Sequence, residues 1–110
     1  MVESIGEILY NTIVDRKNNP KEKSYTNYLF DKGLDKILKK VGEESSEVII
    51  EACKADNNDN IKEEIADLLY HVMVMMVEKG IGYEEVTDVL LSRHNIENNK
   101  KAERREIEQW

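Results

Sequence analysis

Two sets of side chains in this sequence have the types and spacing to do chemistry. Glu43, Glu44, Glu47 and Glu51 recur at intervals of three and four residues, and Glu64, Asp67 and His71 do the same further along. Such intervals put side chains on one flank of a helix. Counted from Leu34 at about 100° per residue, Lys36, Lys40 and the four glutamates fall between roughly 180° and 280°, with the lysines first along the axis. Counted from Ile61, the residues Glu64, Asp67 and His71 lie at roughly 240° to 300°. Neighbouring like charges cost an isolated helix about 0.2 to 0.5 kcal/mol per pair, so the arrangement is unfavourable unless something neutralises it. If the two helices form an antiparallel hairpin, both acidic flanks line one groove and Glu44, Glu47, Glu64 and Asp67 converge. A hard divalent cation takes oxygen ligands, and Mg2+ keeps waters and binds a few carboxylates together with substrate phosphates. The groove therefore has the composition of an Mg2+ site for a phosphate ester. On spacing alone a plainer reading is favoured: in a chain with 23 acidic residues, these carboxylates form a solvated face. Lys36 and Lys40 then simply pair with Glu43 and Glu44, and His71 is a hydrogen-bonded boundary residue.

The elements that must hold these groups are helical. Ile5, Ile8, Leu9 and Ile13 predict a first helix from about Val2 to Lys17, ended by Asn18, Asn19 and Pro20. Between Lys21 and Lys32 a short helix capped by Ser24 and an ordered loop fit equally well. Leu34, Ile37, Leu38, Val41, Ser45, Val48, Ile49 and Ala52 predict a longer helix, interrupted by Gly42 at a cost of about 1 kcal/mol relative to Ala. The run Asp56 to Asn60 predicts a turn, and Asn60 with Glu63 reads as a capping box opening the next helix, which Gly80 closes. Ile61, Ile65, Leu68, Leu69, Val72, Met75 and Met76 share one face of it, and Met73, Val74 and Val77 make its second half apolar all round. Such a segment must be covered on several sides, more than 110 residues can supply, which predicts a homodimer. A last helix runs from about Tyr83 to His94 with Val86, Val89 and Leu90 facing inward, and Asn95 to Trp110 reads as a frayed helix or mobile tail. No segment alternates as a strand does. The expectation is an all-α fold, a four- to five-helix bundle completed by homodimerisation, with one domain over 1–94 and a polar tail over 95–110.

Composition narrows the function classes. Sixteen basic against 23 acidic residues leave a net charge of -7, which disfavours nucleic acid as a partner and makes any anionic ligand depend on a local cation. No apolar run approaches the length of a bilayer span, so no membrane helix is expected. Met1 to Asp15 lacks the basic start, apolar stretch and small-residue cleavage site of a secretory signal, so the expected location is the cytoplasm. Cys53 is the one cysteine; it permits no internal disulfide and reads as a small packed side chain.

Glu44-Ser45-Ser46-Glu47, then sixteen residues, then Glu64-Ile65-Ala66-Asp67 resembles the ExxE…ExxD pattern of the all-α nucleoside triphosphate pyrophosphohydrolases, the MazG-like superfamily. Ser24-Tyr25-Thr26, Lys40-Val41-Gly42-Glu43-Glu44, Glu64-Ile65-Ala66-Asp67-Leu68-Leu69-Tyr70-His71 and Arg93-His94 together resemble, more narrowly, the phosphoribosyl-ATP pyrophosphohydrolases of histidine biosynthesis. That resemblance covers the chain from about Ile5 to His94. It implies hydrolysis of phosphoribosyl-ATP to phosphoribosyl-AMP and pyrophosphate, with Mg2+, in a cytoplasmic homodimer. It also implies Glu44, Glu47, Glu64 and Asp67 as metal ligands, with Glu43 a neighbouring ligand or the group that orients the attacking water. Lys40 and Lys36 would meet phosphate oxygens, Ser24, Tyr25 and Thr26 would contact the substrate, and Arg93 is a further candidate for phosphate. Gly42 would let a facing helix or the ligand approach closely, and His71 would steady a carboxylate such as Asp67. Ser45 and Ser46 depart from the pattern, where at least one apolar residue is expected, and the tail after His94 is longer than the motifs require.

Three other readings compete. A house-cleaning pyrophosphohydrolase acting on free nucleoside triphosphates or dUTP shares the carboxylate quartet, although the segment Ser24 to Thr26 argues against it. A di-iron carboxylate bundle requires two Glu-x-x-His motifs, which the sequence lacks. A non-catalytic helical dimerisation module would bind no Mg2+ and lose nothing in Glu47→Gln or Glu64→Gln.

Overall fold

The computed structural model describes residues 3–100, with side chains through residue 96. The fold is all-α: the described residues form five helices and no strand. Two compact units divide the chain, Met1–Gly80 and Ile81–Trp110. The first holds α1 (Ile5–Asn18), α2 (Tyr25–Lys32), α3 (Leu34–Ala52) and α4 (Asn58–Lys79); the second holds α5 (Tyr83–Lys100).

Local chemistry explains where the helices of the first unit begin and stop. The Ser4 hydroxyl accepts from the Glu7 N–H at 3.2 Å, and the Ser24 hydroxyl accepts from the Asn27 N–H at 3.2 Å. Each satisfies an N-terminal amide that has no partner within the helix. Asn27 is buried and joins two elements to α2: its side-chain oxygen accepts from the Lys21 N–H at 2.9 Å, and its amide donates to the Arg16 carbonyl at 2.6 Å. Between α2 and α3 stands a single residue, Gly33, at φ +90° and ψ -177°. Only glycine adopts that region readily, so the angle between the two helices depends on it. Gly80, left-handed at φ +75°, closes α4 as the sequence predicts.

α3 and α4 make the most extensive helix pair, and α1 and α2 pack against them. Ile13, Leu29, Ile37 and Val74, one from each of the four helices, form the sealed centre, with Leu9, Phe30, Tyr70, Met73, Met75 and Val77 packed around it.

Several expectations are corrected by this packing. α4 turns inward a face that only partly coincides with its richest apolar stripe: Val74, His71 and, from the stripe, Met76 are buried, whereas Leu69 is 54% exposed and Ile65 is exposed too. The second half of α4 is apolar all round, so turning the Val74 face inward costs it little core area, and the acidic flank then borders α3. The stripe on α3 is likewise split, Ile37 being sealed and Ile49 64% exposed. Asn60 is not a cap. α4 is already under way there, having begun at Asn58 with Asn57 before it. The early start follows from Asn57, whose side-chain amide donates to the Glu51 carbonyl at 3.2 Å and to the Glu51 carboxylate, so the turn is fastened to the end of α3. The hydrogen bond to the carboxylate, and then the ammonium of Lys54, hold the Glu51 carboxyl below its ordinary range. Cys53 is exposed at the end of α3 rather than packed. A Cβ on Gly42 would meet nothing within 4 Å, so no described part of this chain makes the close approach expected there.

In the second unit the Glu85 carboxylate accepts from the Gly82 N–H at 2.6 Å, which fastens the start of α5. Val86, Val89 and Leu90 are exposed rather than inward, since this unit offers no second described helix to cover them. α5 continues past His94 to Lys100, so part of the expected tail is helical; the remainder, 101–110, lies outside the described residues.

Gly33→Ala should destabilise the chain by about 1 to 3 kcal/mol in urea denaturation. A methyl group there meets no atom within 4 Å, so the loss measures backbone strain alone; an unchanged midpoint would contradict the assignment of Gly33 as the hinge of α2 on α3.

Candidate active site

The face that α4 turns inward decides what the hairpin presents. Glu44 comes from the middle of α3, and Glu64 and Asp67 from the first half of α4. One carboxylate oxygen from each lies within 4.8 Å of the other two. Glu44 and Glu64 are half-buried and Asp67 is exposed, so the group opens to solvent on one side. Burial raises the pKa of Glu64 above the usual carboxyl value; a hydrogen bond shared with Glu44 and repulsion from Glu44, Asp67 and Glu47 act in the same direction. Without a counter-ion, the cluster therefore retains a proton more tightly than a free glutamate does.

Three carboxylate oxygens within 4.8 Å of one another make an anionic, all-oxygen donor set, the kind a hard divalent cation takes, so these residues fit such an ion and would hold it. Glu47, the fourth expected ligand, is exposed and lies outside the group of three, although it contributes to the repulsion on Glu64. Glu43 is exposed and faces Lys40 instead, whose ammonium is 3.5 Å from both the Glu43 and the Glu44 carboxylates. Burial works against the charge on Lys40, but Tyr25, Glu44 and Glu43 outweigh it and raise the lysine pKa. Lys40 thus remains a cation at the edge of an anionic group, where a phosphate needs one.

α2 supplies the other wall. Of the expected contacts, Ser24 is engaged as the cap of α2, the Thr26 hydroxyl is hydrogen-bonded to the Tyr70 hydroxyl, and Tyr25 reaches the hairpin. The Tyr25 hydroxyl is 2.9 Å from His71 Nε2, and His71 Nδ1 is 2.7 Å from the Asp67 main-chain oxygen. His71 therefore does not hold an Asp67 carboxylate; it touches the carbonyl one turn back. Tyr25 stacks on Tyr28 and Tyr70 with ring centres 6.0 and 6.1 Å away. Burial raises its pKa, partly opposed by Lys40 and assisted by Glu44, so the phenol keeps its proton. Lys36 lies over the Tyr28 ring, 6.0 Å from its centre, together with Lys32. Arg93 belongs to α5 in the other unit and is exposed there.

Sequence reasoning missed the Tyr25–His71 contact and the role of Asn27. Both join residues of different helices, and helical spacing relates only residues of the same one.

Comparison with known proteins adds an independent finding. Residues 7–94 match the family described as phosphoribosyl-ATP pyrophosphohydrolase. A phosphoribosyl-ATP pyrophosphatase of Clostridium novyi is 56% identical over 102 residues, covering 93% of this chain and 92% of the relative. One from Streptococcus thermophilus is 60% identical over 93 residues, covering 84% and 88%, and one from Clostridium botulinum is 58% identical over 105 residues, covering 96% and 94%. The matched span contains the three gathered carboxylates, Lys40, Tyr25 and His71, and the chain belongs to the phosphoribosyl-ATP pyrophosphohydrolase family.

Proposed function

We propose that this chain hydrolyses phosphoribosyl-ATP to phosphoribosyl-AMP and pyrophosphate, the second step of histidine biosynthesis, with Mg2+ held by Glu44, Glu64 and Asp67. The observation that carries the reading is the meeting of those three carboxylates beside Lys40 in a chain 56% identical to an enzyme of that name. When bound, the metal supplies a centre that spreads the negative charge gathering on phosphoryl and leaving oxygens. The protein's own groups do the rest. Glu47, one turn along α3, joins the ligand set by side-chain rotation. Glu43, exposed beside Lys40, orients the attacking water. Lys40 takes a phosphate oxygen that the acidic group alone would repel, with Lys36 serving phosphates further out. Ser24, Tyr25 and Thr26 border the nucleoside.

No helix among the described residues is long and apolar enough to cross a membrane. We place the enzyme in the cytoplasm as a homodimer, with the working domain in 1–94 and 95–110 as an appendage. Exposed Ile49 on α3 and exposed Ile65 and Leu69 on α4 support the second copy, since large apolar side chains on two paired helices gain by burial against a partner.

A panel of phosphoribosyl-ATP, ATP, dCTP and dUTP, each with and without Mg2+, tests the activity. Phosphoribosyl-ATP should turn over fastest and only with metal, and Glu64→Gln or Asp67→Asn should lower kcat at least about a hundredfold. Faster hydrolysis of a simple nucleotide would replace the substrate, and full activity in both variants would remove the site.

Metal-free stability should depend on pH with a defined sign. Glu64 binds its proton more tightly folded than unfolded, so its contribution favours the fold below the ordinary carboxyl value of 4.5 and is lost as pH rises from there through the raised value. Thermal melting of the wild type should therefore fall relative to Glu64→Gln across that window, and millimolar Mg2+ should reverse the order by binding only the wild type. Parallel curves with and without metal would contradict it.

Light scattering at micromolar concentration should give twice the 12.8 kDa chain mass, and Leu69→Glu should give the single-chain value. A monomeric wild type would refute the dimer.

A further inference from the structure

His71 is the most buried titratable side chain near the site, 5% exposed, and the mechanism above assigns it nothing. Its two ring nitrogens have different neighbours. Nδ1 lies 2.7 Å from the Asp67 carbonyl oxygen, which can only accept, so Nδ1 carries the hydrogen. A neutral imidazole has one N–H, which leaves Nε2 as an acceptor. Nε2 lies 2.9 Å from the Tyr25 hydroxyl, so the phenol donates its hydrogen to the ring. Edge-to-face contacts of the imidazole with Tyr25 and Tyr70, at 5.7 and 4.9 Å between centres, hold the ring in that orientation. With its only proton committed, the Tyr25 oxygen offers lone pairs alone to whatever lies in front of it.

We propose that His71 is a positioning residue that sets the polarity of Tyr25, so that the phenol oxygen accepts a hydrogen bond from a ribosyl hydroxyl of the substrate and cannot donate one to its phosphates. This rests on the reading of the site given above. Phosphate oxygens only accept, so an acceptor-only phenol does not hold them; the triphosphate is left to Lys40 and the metal. The donors nearest a triphosphate on a nucleoside are the hydroxyls of the adjoining ribose. Tyr25 stands beside Lys40 and Glu44 and is half-exposed, which sets its oxygen next to the phosphate end. The same two hydrogen bonds tie α2 to the turn of α4 that bears Asp67, so the substrate wall and the carboxylates keep a common register.

Two measurements test the inference. Nitrogen-15 NMR of the wild type, read where the ring shows a single N–H, should find the His71 proton on Nδ1; the chain has two histidines, and His94→Gln assigns the signals. A proton on Nε2 would overturn the proposal without reference to any substrate. In kinetics, Tyr25→Phe should raise KM for phosphoribosyl-ATP roughly tenfold, the cost of one lost hydrogen bond, with kcat within about twofold. An analogue lacking the hydroxyls of the ATP ribose should suffer the same loss in the wild type and none beyond it in Tyr25→Phe. His71→Asn, which keeps a donor for Asp67 but does not reach Tyr25, should raise KM, and His71→Gln, whose side-chain oxygen stands where Nε2 was, should restore it. The double variant Tyr25→Phe with His71→Asn should be no worse than Tyr25→Phe alone. Multiplied effects, or a fall in kcat at constant KM, would refute the positioning role. Should the wild type fail to release pyrophosphate from phosphoribosyl-ATP, the functional reading falls, whereas the NMR result still judges the Tyr25–His71 contact.

Discussion

Repulsion between carboxylates is the constraint from which the rest of this molecule follows. Glu44, Glu64 and Asp67 sit with oxygens within 4.8 Å of one another, an arrangement that isolated helices would avoid. It persists because α3 and α4 are held together by apolar packing elsewhere along their length, through Ile37 and Val74 and the methionines around them. Packing that opposes the charges stores a readiness to bind a cation. Burial first, then the hydrogen bond with Glu44 and the repulsion within the group, raise the proton affinity of Glu64.

α2 turns this charged groove into a site with two walls. Its position is set by three short-range devices: the Gly33 linkage to α3, the Ser24 cap, and the Asn27 side chain bound to the end of α1 and the loop after it. Each is local and small in energy, yet together they bring Tyr25 to His71, 46 residues away in sequence. Precision at the site thus comes from polar contacts at the helix ends, while the apolar centre supplies cohesion.

The sequence made the fold class, the helix order and the carboxylate flanks legible, because all three follow from periodicity within single helices. Spacing put Glu44, Glu47, Glu64 and Asp67 on facing flanks, and three of the four are gathered; periodicity could not tell that Glu47 stands outside the group, nor decide between a site and a solvated face. Periodicity could not predict which face of α4 would turn inward, since Met73, Val74 and Val77 make every face of its second half acceptable to a core. For the same reason Leu69 and Ile65 are outside and Val74 inside. The capping box at Asn60 failed because Glu51, from another helix, binds Asn57 and starts α4 earlier. The inward face assigned to α5 rested on an amphipathic pattern too weak to orient a helix, whereas Arg93 was named through the resemblance to the family and not through periodicity.

The sealed centre has a consequence of its own. With one fully enclosed side chain from each helix of the first unit, Ile13, Leu29, Ile37 and Val74, the interior of that unit has no redundancy: detaching any one of the four helices wets the other three. Partial melting therefore has no stable halfway structure in which the acids stay gathered. The gathering of the three acids is therefore all-or-none in each molecule, present in intact chains and absent in opened ones, and a weakened variant would hold fewer assembled clusters rather than looser ones.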